Sequence, residues 1–158
     1  MLNILNQATG LKFELPTEWQ WEYACRCGSD TLVDGGTTWR KYEQGNTTDR
    51  NCTEETGVNY VDRYPPNAWG FYDMLGNCWE WCVNIYWTTD IVKDGVYTDP
   101  EGHSNLGADN KQRALKGGSL TDQRVDTVRA YHQNRIDEGT CTYDTHKFIA
   151  ARFCLTIE

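Results

Sequence analysis

The sequence predicts an α+β domain of short strands and few helices, with much of the chain in irregular loop. Three observations point there. A capping signal opens one clear helix near the N-terminus. Short apolar and aromatic runs of strand length recur in the second half. Between them lie long stretches rich in Gly, Thr, Asn and Asp without apolar periodicity. At 158 residues the chain suits one domain, residues 1–158, with a core of its own.

Residues 1–7 read as the end of a helix through Leu2, Ile4 and Leu5, stopped at Gly10. Thr17 with Gln20 three positions on is a capping-box pattern: the hydroxyl takes one orphan backbone N–H and the Gln side chain reaches back to another. A helix is therefore predicted from Glu18 to Arg26, with Trp21, Ala24 and Cys25 at helical spacing. Residues 28–62 read as a long irregular excursion. Its two Asn-x-Thr sequons, at Asn46 and Asn51, matter only in a eukaryotic secretory setting. Pro65-Pro66-Asn67 marks a turn, and residues 87–113 form a second polar loop. Strands are predicted at 113–120, where Gly117-Gly118 allows close backbone approach, at 128–131 and at 149–157.

The net charge of −8 and the lack of a dense basic run exclude ordinary nucleic-acid binding, because phosphate backbones would be repelled. Seven Trp and nine Tyr mark a folding chain, and most of them are expected to fill a core. The cysteine count is seven, so at least one cannot pair within the chain, and neither Cys25-x-Cys27 nor Cys78-x-x-x-Cys82 has zinc-site spacing. Pairings of Cys25 or Cys27 with Cys154 or Cys141 stay open. The three histidines, His103, His132 and His146, sit apart without ligand spacing. Residues 1–10 lack a basic start and a long apolar run, and no stretch approaches transmembrane length. The expectation is a chain outside the membrane, cytoplasmic if Met1 is the true start.

Three blocks carry a resemblance. The first is Leu15-Pro16-Thr17-Glu18-Trp19-Gln20-Trp21-Glu22-Tyr23-Ala24. The second runs from Pro66-Asn67 through Gly70-Phe71-Tyr72-Asp73-Met74 and Gly76-Asn77-Cys78 to Trp79-Glu80-Trp81. The third is Leu115-Lys116-Gly117-Gly118-Ser119. In this order and spacing they resemble the sulfatase-modifying-factor, or formylglycine-generating-enzyme, family. The resemblance implies a variant C-type-lectin-like fold. It also implies that the family's N-terminal portion is lacking, which would leave an unpaired edge beside the final strand.

The second block suggests calcium. Asp73 and Glu80 are hard oxygen ligands around the Gly76-Asn77-Cys78 turn, and calcium takes about six to eight oxygens. The resemblance implies a ligand set of Asp73, the carbonyls of Gly76 and Cys78, and Glu80. Two carboxylates converging on one turn would repel without a cation. The alternative is a tight turn with Asp73 facing solvent and Glu80 paired to an arginine.

The third block bears on catalysis. Family oxidases hold copper(I) between two cysteine thiolates shortly after Gly-Gly-Ser. The corresponding positions here are Asp122 and Thr127, neighboured by Ser119 and Trp79, and no cysteine lies between Cys82 and Cys141. Copper is therefore not expected. A substitute pair, Cys78 and Cys82, would share a helix face at i and i+4, but two small buried residues are the simpler reading. The disulfide that family oxidases make from the position of Cys25 has its partner position at His132.

The leading expectation is a non-catalytic binding module. Its ligand surface lies in residues 121–146, carried by Asp122, Arg124, Arg129, Tyr131, His132, Arg135 and Tyr143. That mixture joins adaptable hydrogen bonders with rigid aromatic anchors, as evolved binding loops do. A solvated loop would have the same composition. The region hosts the active site in family oxidases, and it is the variable region of diversified binding proteins on this fold. The ligand would be a protein or a small molecule. The competing expectation is an oxidase that converts a protein cysteine to formylglycine.

Overall fold

The computed structural model describes residues 1–28, 60–62, 66–85, 112–119, 134–137 and 148–157. Along the chain these form α1 (Leu2–Thr9), β1 (Lys12–Glu14), α2 (Glu18–Arg26), β2 (Trp79–Ile85), β3 (Gln112–Lys116), β4 (Asn134–Asp137), β5 (Ile149–Ala150) and β6 (Cys154–Thr156). The predicted α+β class holds. Strands β4-β3-β2-β5 make a four-stranded sheet and β1-β6 a separate two-stranded one. No helix among the described residues is long and apolar enough to cross a membrane.

Helix α1 ends where Gly10 turns left-handed at φ 70° and gives its N–H to the Asn6 carbonyl. The helix buries no residue. Asn6 ties it to β1 instead, its amide donating to the Phe13 carbonyl at 3.1 Å and accepting the Phe13 N–H at 2.9 Å.

Helix α2 begins as the capping box requires. The Thr17 hydroxyl accepts the Gln20 N–H at 3.1 Å, and the Gln20 side-chain oxygen accepts the Thr17 N–H at 3.0 Å. Glu18, Trp21 and Cys25 form its buried stripe. Trp21, Cys25, Met74, Leu75, Cys82 and Ala114 make the core between α2, the turn that precedes β2, and the sheet.

Strand β2 carries the connection. Its register against β3 shifts between Trp81 and Ile85. In the irregular stretch the Val83 N–H goes to the Pro16 carbonyl at 2.9 Å, and Asn84 Oδ1 accepts the Glu18 N–H at 2.6 Å. The bulge therefore holds the first turn of α2 against the sheet, satisfying a helix donor that has no intrahelical partner.

Strand β3 stops at Lys116 instead of continuing to residue 120, because Gly117 and Gly118 take φ of 96° and 76°, left-handed values that end the ladder. The predicted last strand divides. Strand β5 pairs parallel with β2, and β6 pairs antiparallel with β1. The strand predicted at 128–131 lies outside the described residues, and β4, at Asn134–Asp137, was not foreseen.

Burial pushes the Glu18 carboxyl above the ordinary carboxylate range; the Lys116 charge opposes this and Glu22 adds to it. A raised folded-state value contributes stability that is complete below the unfolded value, about 4.3, and is lost as pH rises through the folded one. Glu18→Gln is expected to raise the thermal midpoint at neutral pH. That gain should vanish below about pH 4, where wild-type Glu18 is already protonated. Thermal melts of both proteins across the acid-to-neutral range check this.

Candidate functional site

The three sequence blocks meet at one side chain, Trp21. It is 1% exposed. Its indole N–H donates to Glu80 Oε2 at 2.6 Å. Its ring edge lies against Gly117, where an added Cβ would sit 3.2 Å from the Trp21 Cζ2 and 3.0 Å from the Met74 carbonyl oxygen. The Lys116 ammonium lies 5.7 Å from the ring centroid, in cation–π range. It also pairs with Glu22 Oε2 at 3.2 Å, so this buried cation is compensated. The Gly76 N–H bonds the Gly117 carbonyl at 2.8 Å, which fastens the second block to the third.

Asn67 joins the second block to the first. Its amide donates to the Ala24 and Cys25 carbonyls at 2.8 and 3.3 Å, capping the C-terminal end of α2. Its oxygen accepts the Trp69 and Phe71 N–H groups at 3.1 and 3.0 Å. One buried side chain thus shapes the turn and satisfies helix carbonyls that have no partner within the helix.

A cleft of about 350 Å³ opens beside this junction, lined in part by Tyr72, Asp73, Gly76, Cys78, Glu80 and Arg152. All four residues of the expected calcium set border it. Asp73, at φ 53°, accepts the Asp62 N–H on Oδ2 at 2.8 Å. Glu80 is engaged differently. Arg152 grips it side-on, Nε to Oε2 and Nη2 to Oε1, both at 2.8 Å, while Trp21 supplies a third donor. A carboxylate offers about four lone-pair directions, so one remains, next to a guanidinium charge. As placed, Glu80 is held by three donors from Arg152 and Trp21, which leaves a cation little room at this carboxylate. Its charge is balanced by Arg152, and the repulsion argument for a cation lapses. Among the described residues no group of three or more His, Cys, Asp or Glu side chains is placed to hold a metal ion.

Cys78 and Cys82 do not share a helix face, since Cys82 lies inside strand β2. Burial pushes the Cys82 thiol well up, with nearby Lys116 opposing. Burial thus disfavours the thiolate form at Cys82. Cys25, Cys27, Cys78, Cys82 and Cys154 are all thiols, so the Cys25–Cys154 and Cys27–Cys154 pairings are not formed.

Ser119 and Trp79 are both buried, at 3% and 6% exposure, behind the surface and not on it. Of the expected ligand-binding residues, Asp122, Arg124, Arg129, Tyr131, His132 and Tyr143 lie outside the described residues, as do Thr127 and Cys141. Arg135 stands on β4 opposite Ala114 of β3. Strands β3 and β4 are adjacent and antiparallel, with Leu115 opposite Asn134. Both ends of the 117–133 connection are therefore anchored on neighbouring strands. The sequence assigns no partner to Arg152, and Lys116 stands in the third block without a role. Each lies far along the chain from its partner, Arg152 from Glu80 and Lys116 from Glu22, and no local pattern links them.

Comparison with known proteins supplies the family. The sulfatase-modifying factor enzyme 1-like domain matches residues 3–145. The formylglycine-generating enzyme of Mus musculus is 34% identical over 115 residues, covering 66% of this chain and 29% of its own length. That of Streptomyces coelicolor is 35% identical over 116 residues, 66% and 35% of the two chains. The serine/threonine-protein kinase pkn1 of Chlamydia caviae is 32% identical over 141 residues, 87% of this chain but 21% of its own. The chain thus spans about a third or less of the length of these curated relatives. Among solved structures, Treponema denticola variable protein 1 matches with a TM-score of 0.68 and 28% identity over 90% of this chain and 47% of its own. PvdO from Pseudomonas aeruginosa shares the fold, with a TM-score of 0.61 at 18% identity over 99% of this chain and 57% of its own. The chain belongs to the sulfatase-modifying factor enzyme 1-like (FGE-sulfatase) family.

Proposed function

We propose that this chain is a non-catalytic binding module of the family, built on a C-type-lectin-like variant fold, with its ligand surface in residues 121–146. The observation that carries the reading is chemical. The positions of the two copper-holding cysteines are Asp122 and Thr127, and no cysteine lies between Cys82 and Cys141. Asp and Thr offer hard oxygens, and copper(I) selects soft sulfur. The scaffold supports the reading too. The 117–133 connection springs from adjacent strands of the sheet. Loops anchored on a rigid sheet can vary without unfolding the domain. The likeness to Treponema denticola variable protein 1 agrees with a surface that changes while the scaffold persists. Calcium at the 73–80 turn is not required by this function.

The competing reading, an oxidase that makes formylglycine, rests on the identity shared with the mouse and Streptomyces coelicolor enzymes. It would need a sulfur pair from Cys78, Cys82 or Cys141.

Arg129→Ala and Tyr131→Ala test the surface assignment. Each is expected to change the thermal midpoint by less than about 0.5 kcal/mol equivalent, as surface substitutions do. Circular dichroism melts read this. A large loss of folding in either variant would place that side chain in the core and remove it from the binding surface.

A further inference from the structure

We propose that Arg152 takes over, in this chain, the structural part that calcium would play at the 73–80 turn, so that the turn is held by a guanidinium and is indifferent to calcium. A cation bound there would do two things. It would neutralise Glu80, and it would bridge that carboxylate to backbone carbonyl oxygen. Arg152 does both. Its Nε and Nη2 meet the two Glu80 oxygens at 2.8 Å, and Nη2 also donates to the Tyr72 carbonyl at 2.9 Å. The guanidinium therefore ties three parts together: strand β2, the segment between β5 and β6, and the turn that carries Asp73.

The chemistry favours permanence. An arginine side chain does not deprotonate in proteins, and its planar fork matches a carboxylate edge. The pair is well sheltered, with Glu80 at 11% and Arg152 at 27% side-chain exposure. The Trp21 indole N–H fixes the carboxylate from the other side at 2.6 Å. A divalent ion entering at Glu80 would have to displace a hydrogen-bonded guanidinium or sit against its charge. The cleft then holds Asp73, Glu80 and Arg152, and the Asp73 carboxylate faces the Asp62 N–H.

The test compares thermal midpoints of wild type, Glu80→Gln and Arg152→Gln in EDTA and in millimolar calcium. Wild type is expected to melt at the same temperature in both, because a ligand that binds only the folded state would raise it. Glu80→Gln is expected to show the same indifference. Arg152→Gln leaves a buried carboxylate uncompensated and is expected to melt on the order of 10 °C lower in both buffers. If Arg152→Gln yields no folded protein, Arg152→Lys replaces it. Lysine keeps the charge without the fork and is expected to show a smaller drop. A calcium-dependent rise in wild type that Glu80→Gln abolishes would overturn the proposal. So would an Arg152 variant that melts with wild type.

Discussion

Trp21→Ala is expected to cost the fold about 3–5 kcal/mol, the range for truncating a fully buried large aromatic. For a chain of this size that lowers the thermal midpoint by about 10–15 °C. The reason is position as much as size. Trp21 is 1% exposed and touches all three blocks: its own helix, Glu80 of β2 through the indole N–H, and Gly117 at the end of β3. Trp21→Phe separates the contributions. It keeps most of the ring and removes the donor to Glu80, which retains Arg152. A loss of about 1.5–3 kcal/mol is expected, the net worth of a hydrogen bond to a charged group. Denaturant melts of both variants give the two numbers. Equal losses would mean that the hydrogen bond, and not the packing, dominates.

Gly117→Ala is expected to cost about 2–4 kcal/mol, combining a left-handed backbone with overpacking. At φ 96° an L side chain is strained, and its Cβ would sit 3.0 Å from the Met74 carbonyl oxygen. Backbone cannot swing aside as a side chain would. Gly10→Ala is the control. Gly10 has φ 70°, but a Cβ there meets nothing within 4 Å. It should lose only the conformational part, about 1–2 kcal/mol. The difference between the two variants measures the contact that presses the third block onto the second. No difference would mean that the junction yields.

How much of this was legible depended on whether the signal was local. The α2 capping box was readable because its two hydrogen bonds span three residues. Strand β2 was missed for a physical reason. Its buried face carries Glu80, Cys82 and Asn84, while Val83 between them is 41% exposed. Trp79, on the Val83 side, is buried as well, so the usual alternation, apolar inside and polar outside, is broken. Glu80 and Asn84 can be buried because Trp21, Arg152 and the Glu18 N–H meet them, and none of those partners is nearby in sequence. Strand β1 is three residues long and exists through its pairing with β6. The division of the final strand likewise follows from two different partners and not from any turn residue.

The candidate site was half legible. The motif blocks named Asp73, Gly76, Cys78 and Glu80, and the structure does gather all four around one cleft. The partner of Glu80 was beyond a local reading. The sequence offers an arginine as the alternative to calcium at Glu80, but only three-dimensional pairing identifies Arg152. The non-catalytic proposal rests on a signal that is local in the sequence: no cysteine lies between Cys82 and Cys141, and Asp122 and Thr127 offer hard oxygen where copper(I) selects sulfur.

The measurement that bears most directly on the central claim is an oxidation assay. The purified chain is incubated with copper(I), oxygen, reductant and a peptide carrying a Cys-x-Pro-x-Arg sequence, and the products are read by mass spectrometry beside an active formylglycine-generating enzyme. Unchanged peptide is expected from this chain and aldehyde from the control. Aldehyde formed by this chain would contradict it, and would place the chemistry on Cys78, Cys82 or Cys141.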